Sequence, residues 1–132
     1  GNRAFYNPQQ DFIALPHKQQ FSLPEYYETA FHELTHWTEH QSRLNWDRSK
    51  AENSYALGEL IAELGGCFLA SELGLPTAER LENHVSYMKT WLKNMQDDPR
   101  FIFKAAAQAA KAADFILAFS REPVEEPEEV MA

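Results

Sequence analysis

Two histidines four positions apart flank a glutamate in the segment His32-Glu33-Leu34-Thr35-His36. On an α-helix, residues i and i+4 lie on one face, so both imidazoles could bind the same metal ion. Glu33 could then act as a general base toward a water molecule on that ion. This pattern is typical of zinc-dependent hydrolases, in which the ion lowers the pKa of its water to about 7. It predicts a Zn²⁺ site with His32 and His36 as ligands and Glu33 as a catalytic residue.

The residues around this motif argue against a chance match on a solvated helix surface. Tyr26, Tyr27 and Phe31 precede the motif, and Trp37 follows it. A helix with such flanks should be partly buried, and a buried histidine pair without a partner is energetically costly. We therefore favour metal binding over a surface histidine pair.

The third ligand is expected from the next predicted helix, because catalytic zinc usually keeps three protein ligands. Glu59 and Glu63 share a face of that helix with small residues, which indicates that another helix approaches closely. The pair Gly65-Gly66 supports this, since each mid-helix Gly costs about 1 kcal/mol relative to Ala. We expect Glu63 to be the ligand, because Gly66 and Cys67 leave it room, and Glu59 to orient a ligand imidazole. The reverse assignment is the alternative, and an exposed glutamate pair is the competing interpretation.

Three further residues could belong to the site. His40 continues the histidine stripe, but three histidines over two turns span about 12 Å and cannot share one ion, so we expect a structural role. Peptide hydrolysis also needs a donor for the developing oxyanion. His84 and Tyr87 lie on one face of a predicted third helix and are candidates for it. The competing interpretation is that they are amphipathic residues at the edge of the core.

The sequence signals for the elements that must position these residues predict a predominantly α-helical α+β fold. Partial alternation before residue 21 and a turn at Asn7-Pro8 indicate a small N-terminal β element. Ser22 with Glu25 forms a capping box, Thr77 is a candidate N-cap, and Asp98 before Pro99 begins the last helix. Four helices are expected, over about 23–41, 54–73, 77–96 and from 98 onward. Residues 1–119 would form one domain, followed by an acidic and disordered tail at 120–132.

Composition excludes several classes of protein. With 132 residues, 44% of them hydrophobic, the chain can bury a core without disulfides, and its lone Cys67 is expected to be a core residue. No stretch is long and apolar enough for a transmembrane helix or a signal peptide, so we expect a reducing cytosol. The net charge is −8, and residues 120–132, which contain five Glu and one Arg, carry part of it. Without a Lys/Arg cluster, direct nucleic-acid binding by this chain is not expected.

With these residues in view, the chain resembles the metallopeptidase domain of ArdC-type antirestriction proteins, which also occurs in polyvalent proteins of plasmids and phages. The resemblance spans nearly the whole chain and is far more specific than the pentapeptide. The matching segments are 1–6, 11–16, 26–29, 32–38, His40, 42–45, 55–56, 59–60, 62–65, 83–84 and 91–92.

This resemblance implies a zincin-like fold and a metal held by His32, His36 and a glutamate of the following helix. Such domains commonly follow a single-stranded-DNA-binding domain, so the chain would be the C-terminal part of a longer protein that protects mobile DNA from restriction. Family members often carry Gly at the position of Glu39 and an acidic residue at that of Gly58.

Two functional hypotheses follow. The first is zinc-dependent hydrolysis of peptide or protein substrates. The second is a non-catalytic protein-interaction module whose metal is structural or vestigial. The sequence names neither a substrate nor an oligomeric state.

Overall fold

The computed structural model describes residues 3–17, 23–47, 54–75, 81–94 and 98–121, without the side chains of residues 23, 24, 81–84, 87, 92 and 94. It contains a two-stranded sheet and four helices in this part of the chain, which confirms the predicted α+β, mainly helical class. Ser22, Thr77 and the predicted tail beyond residue 121 lie outside the described residues. The elements are β1 Phe5–Asn7, β2 Phe12–Ala14, α1 Leu23–Trp37, α2 Ser54–Glu72, α3 Leu81–Asn94 and α4 Pro99–Ser120.

The N-terminal β element is an antiparallel hairpin in which Tyr6 pairs with Ile13. Its turn is closed by Asn7, whose backbone carbonyl accepts a hydrogen bond from the Asp11 N–H at 2.7 Å. The Asn7 side chain also accepts one from the Gln10 N–H at 2.9 Å. Asp11 has a φ of 58°, a left-handed conformation that Asp tolerates better than most residues. The predicted turn and the predicted small N-terminal β element therefore lie where the sequence placed them.

Helix α1 ends at Trp37, four residues before the predicted end at 41. The Thr38 N–H reaches the carbonyls of both Leu34 and Thr35, at 3.1 and 3.2 Å, so the last turn tightens. The Asn45 N–H then bonds the His40 carbonyl at 3.0 Å and turns the chain back. The motif consequently lies near the end of the helix rather than in its middle. His40 lies outside the helix, so the expected stripe of three histidines does not form.

Helix α2 is the central element and packs against α1 on one side and α4 on another. Its predicted range of 54–73 agrees with the observed 54–72 to within one residue. Leu57, Leu60 and Leu69 are fully buried. Leu57 and Leu60 cluster with Ala105 and Ala109 of α4, and Leu69 clusters with Ala113, so small side chains of α4 allow the two helices to lie close. This packing holds the face of α2 that carries Glu59 and Glu63 at a fixed distance from α1.

The contact between α1 and α2 is closest at Gly65. A Cβ atom there would lie 2.6 Å from both Cγ2 and Oγ1 of Thr35, well inside van der Waals contact. At the neighbouring Gly66 the nearest atom would be the His32 backbone nitrogen at 3.7 Å, which is an ordinary contact. The glycine pair therefore does mark a close approach of helices, but only Gly65 requires the missing side chain.

Helix α4 begins as predicted, because the Asp98 side chain accepts a hydrogen bond from the Arg100 N–H at 3.0 Å and Pro99 follows the cap. Helix α3 lies within its predicted range of 77–96. Across the described ranges, none of the helices combines the length and the apolar character that a membrane crossing needs.

Candidate metal centre

Helices α1 and α2 bring two imidazoles and one carboxylate together. One ligand atom each from His32, His36 and Glu59 lies within 4.8 Å of the other two. The Glu59 carboxylate lies between the rings, with Oε2 at 2.8 Å from His36 Nε2 and Oε1 at 3.5 Å from His32 Nε2. Two nitrogen donors and one oxygen donor make up a common ligand set of catalytic zinc. The donor chemistry therefore fits a divalent metal ion.

Glu63 lies on the opposite side of His32 from this group. Its Oε2 is 3.4 Å from Nδ1 of His32, whereas Glu59 faces Nε2 of the same ring. A histidine binds a metal through one nitrogen, and the other nitrogen usually donates to a carboxylate or carbonyl. The geometry thus favours the alternative assignment from the sequence, in which Glu59 is the ligand and Glu63 orients His32. The space that Gly66 and Cys67 leave along α2 favours Glu63 in the sequence, but it does not determine where the imidazole rings of α1 lie.

A second carboxylate lies behind the other ring. Oε2 of Glu39 is 3.8 Å from Nδ1 of His36, a buried nitrogen that has no hydrogen-bond partner within 3.5 Å among the described residues. Each imidazole therefore has Glu59 near one nitrogen and a different carboxylate near the other. Sequence reasoning missed Glu39 as a site residue, although its spacing of three from His36 is a signal that could have found it.

The carboxylates govern the protonation of the two rings. Burial lowers the pKa of His32, but contacts with Glu59 and Glu63 outweigh it and raise the pKa to about 10. Burial opposes ionisation of His36 in the same way, and Glu39 and Glu59 again raise its pKa. Burial raises the pKa of Glu59, but the two histidines hold it well below its usual range. Without an ion, the three groups therefore form a charged hydrogen-bonded cluster.

Glu33 lies near both histidines of this cluster and also contacts the hairpin. Its side chain is buried, and burial raises its pKa, while the neighbouring histidines lower it. A hydrogen bond with the backbone of Tyr6 in β1 also lowers the pKa. A carboxylate whose pKa is shifted toward neutrality is suited to proton transfer. The structure thus places Glu33 next to the donor group and next to an edge of the hairpin.

The hairpin is attached to the end of α1 through Arg43. Its guanidinium contacts the Asp11 carboxylate, and its Nε donates to the Trp37 carbonyl at 2.7 Å. The guanidinium also lies over the Trp37 ring at 3.9 Å. Tyr6 donates its hydroxyl to Asp11 at 2.7 Å, and burial together with this bond raises the pKa of Tyr6 to about 12. His40 lies at the margin of this contact, 4.0 Å from Asp11.

Two of the remaining predicted residues have side chains that the structure does not describe. His84 and Tyr87 belong to α3, but their side chains are outside the described part of the structure, so their role in oxyanion binding stays a prediction. Cys67 is half-buried on α2, and burial raises the pKa of its thiol to about 11, with Glu63 and Glu28 adding to the rise. A thiol that stays protonated at neutral pH is a poor nucleophile, in agreement with the expected core role.

Comparison with known proteins decides the family. Residues 1–108 match a family described as zincin-like metallopeptidase. The chain belongs to this family. Two curated proteins named DNA primase TraC, both from Escherichia coli, are similar to this zincin-like domain, with 46% identity over 128 residues and 44% over 129. It covers 12% and 9% of their lengths. An uncharacterized protein, y4eC of Sinorhizobium fredii, is 32% identical over 119 residues, and 38% of it is covered.

Solved structures of the antirestriction protein ArdC from plasmid R388 also resemble this zincin-like domain. The metal-free structure matches with a TM-score of 0.70 and 44% identity over 92% of this chain. The Mn(II)-bound structure matches with a TM-score of 0.68 and 45% identity over 88% of this chain. The chain spans 45% and 44% of those two chains, respectively. These findings confirm the resemblance to ArdC-type proteins inferred from the sequence.

Proposed function

We propose that this zincin-like domain hydrolyses peptide bonds of a peptide or protein substrate with a bound Zn²⁺ ion, as part of an antirestriction protein of a mobile genetic element. The observation that carries the proposal is the convergence of His32, His36 and Glu59 from two helices, with Glu33 beside them. The similarity to the R388 ArdC structures, one of which is Mn(II)-bound, supports a divalent metal and the mobile-element context.

His32, His36 and Glu59 would hold the ion. Glu63 and Glu39 would accept the second N–H of the two imidazoles and so fix which nitrogen faces the ion. When bound, the ion supplies Lewis acidity that polarises a carbonyl and makes water acidic near neutral pH. All three groups come from helices α1 and α2, so their placement does not depend on a loop.

Glu33 would accept the proton of the attacking water and deliver it to the leaving amine. Its burial raises its pKa, and a contact with the Tyr6 backbone places it beside β1, so the carboxylate is suited to accept a proton. His84 and Tyr87 remain proposed donors to the oxyanion, which forms on the carbonyl oxygen during attack.

Two observations favour catalysis over a purely structural ion. The described cluster offers three protein donors, and catalytic zinc keeps a fourth position for water, whereas structural zinc has four protein ligands. The chain also matches the metal-free and the Mn(II)-bound ArdC structures almost equally, with TM-scores of 0.70 and 0.68. The shared fold therefore does not depend on the ion. The alternative, a non-catalytic protein-interaction module, keeps the metal but predicts no turnover.

The deciding experiment compares Glu33→Gln with Glu72→Gln, a change of the same type at an exposed residue at the end of α2. Cleavage of a fluorogenic peptide library and metal content by elemental analysis are measured on both zinc-loaded variants. Glu33→Gln should lose activity by about 10²–10⁴-fold and retain its zinc, and Glu72→Gln should match the parent protein. Loss of zinc in Glu33→Gln, with retention in His32→Ala, would reverse the roles assigned to these residues.

A polynucleotide assay tests the expected lack of nucleic-acid binding by this chain. The affinity of this chain for single-stranded DNA at low salt should be negligible, because the described residues show no cluster of basic side chains. Binding that weakens steeply with added salt would contradict this expectation.

A further inference from the structure

The N-terminal hairpin is too small to hold its own place beside α1. Each of its strands has three residues, and a two-stranded hairpin alone is only marginally stable in water. One of its faces is open to solvent, since Phe5 and Phe12 contact each other at 5.8 Å and remain 37% and 40% exposed. The position of the hairpin against α1 therefore depends on specific contacts between the two elements.

Polar contacts join the hairpin to α1 at two points. The first is the contact of the Glu33 carboxylate with the Tyr6 backbone. The second is Arg43, whose Nε donates to the Trp37 carbonyl at 2.7 Å and whose guanidinium contacts the Asp11 carboxylate. Residues 33 and 37 are one turn apart, about 6 Å along the helix axis, so the hairpin is held at both ends of that turn.

The two points are connected through the side chain of Tyr6. Its hydroxyl donates to Asp11 at 2.7 Å, and Asp11 in turn contacts Arg43. Only 12% of the Arg43 side chain and 29% of the Asp11 side chain are exposed, so water and salt screen this ion pair less than a pair on the open surface. Tyr6 is thus tied to Arg43 through its side chain and contacts Glu33 through its backbone.

We propose that Tyr6, Asp11 and Arg43 form a hairpin clamp that sets the position of the Glu33 carboxylate, which makes them positioning residues for peptide hydrolysis. The inference rests on the proposed function, because it concerns the base of that reaction. A displacement of about 1 Å at a reacting group can cost about 100-fold in rate, so the clamp can control turnover without contacting the substrate. The proposed metal ligands include none of its three residues, so ion binding should not need it.

Two single variants each break one link of the hairpin clamp. Tyr6→Phe removes the hydroxyl but keeps the ring and the backbone N–H, and Arg43→Lys keeps the charge but loses the planar group. For a fluorogenic peptide that the zinc-loaded parent cleaves, each should lower kcat about tenfold and leave KM within about twofold. Zinc content should not change. The matched controls are Tyr55→Phe, at an exposed tyrosine, and Arg100→Lys, in the Asp98 ion pair at the start of α4, and both should match the parent.

The double variant Tyr6→Phe/Arg43→Lys distinguishes the hairpin clamp from general damage to the fold. The links lie in series, so breaking the second should add little once the first is broken, and the double variant should also lose about tenfold in kcat. Two independent effects would instead multiply to a loss of about 100-fold. Circular dichroism checks that every variant is folded at the assay temperature.

A measurement without turnover uses the backbone amide resonance of residue 6 in the ¹H–¹⁵N NMR spectrum. Glu33→Ala removes the carboxylate and so gives the position of this resonance without the contact. Arg43→Lys should move the residue-6 resonance of the parent toward that position, because a loosened hairpin draws the amide away from Glu33. Arg100→Lys should leave the resonance where it is.

Several outcomes would overturn the proposal. They are an unmoved residue-6 resonance in Arg43→Lys, an unchanged kcat in both single variants, a multiplied loss in the double variant, or loss of zinc from either single variant. The fate of the peptidase function is read separately. If the parent protein cleaves no peptide, that function fails and the amide resonance alone decides whether the hairpin clamp positions Glu33, whereas cleavage that the clamp variants leave intact refutes only the clamp.

Discussion

The adjacent glycines of α2 should respond in opposite ways to the same substitution. At Gly66 an added Cβ meets nothing closer than 3.7 Å, so Gly66→Ala should gain the helix propensity of alanine, about 1 kcal/mol of unfolding free energy. At Gly65 the same atom would lie 2.6 Å from two atoms of Thr35. Ordinary contacts between carbon atoms are about 3.5–4.0 Å, so the helices would have to separate by roughly 1 Å.

The size of the Gly65→Ala effect follows from two opposing terms. Overpacking of this kind costs about 1–3 kcal/mol. The upper end applies here, because Thr35 is fully buried, β-branched and tied by its hydroxyl to the Phe31 carbonyl at 2.8 Å. Helix propensity returns about 1 kcal/mol. The net loss should be about 2 kcal/mol, so the two alanine variants should differ by about 3 kcal/mol.

Chemical denaturation of both variants tests this prediction, with thermal melts as a second measurement at roughly 4 °C per kcal/mol for a chain of this length. Thr35→Ala removes both clashing atoms and should lessen the effect of Gly65→Ala by about 1–2 kcal/mol in a double-mutant cycle. The metal site adds a third readout. Thr35 lies between the two ligand histidines, and metal sites tolerate displacements of only about 0.2 Å, so Gly65→Ala should also weaken zinc binding.

A neutral or stabilising Gly65→Ala would refute the reasoning, because the close contact of α1 with α2 would then not exist in solution. Equal destabilisation by both alanine variants would show that α2 resists any side chain here, independently of Thr35.

Three further predictions concern charge. Zinc affinity, measured in competition with a chelator, should fall about 10–100-fold in Glu63→Gln and further in Glu59→Gln. The opposite order would restore Glu63 as the ligand. Folding raises the pKa of His32 from 6.5 to about 10, so its stabilising contribution is complete below pH 6.5 and disappears as the pH rises toward 10. Denaturation of metal-free protein across this range should show that decline, and a flat profile would contradict it. Arg43→Lys keeps the charge but loses the flat contact with the Trp37 ring and the paired hydrogen bonds. It should lower the free energy of unfolding, measured by chemical denaturation, by about 1–2 kcal/mol. An unchanged denaturation midpoint would be inconsistent with Arg43 holding the hairpin.

Much of this fold could be predicted because the signals are local. The turn after Asn7, the Asp98 cap with Pro99 and the apolar pattern of α2 each lie within a few residues of the structure they determine. The motif itself predicts two ligands and a base through one helical period. These features do not need the rest of the molecule to be known.

What the sequence left open depends on how separate elements meet. Glu59 and Glu63 share one face of α2, and the offset of α1 along that face, fixed at Gly65, decides which of them lies between the rings. The early end of α1 is set by backbone hydrogen bonds that reach Asn45. The contacts of Tyr6 with Glu33 join residues far apart in the chain, and no local pattern reveals them.

The chelating groups and the part of the chain that aligns the base are physically distinct. The chelating residues all come from α1 and α2, whereas Glu33 is held against the hairpin by the backbone of Tyr6 and, beyond it, by Asp11 and Arg43. On the proposed function, sequence drift confined to residues 5–14 would therefore silence the proposed chemistry and spare ion uptake. A domain built in this way would then lose peptide hydrolysis in one step and persist as a metal-loaded adaptor, without passing through an unfolded intermediate.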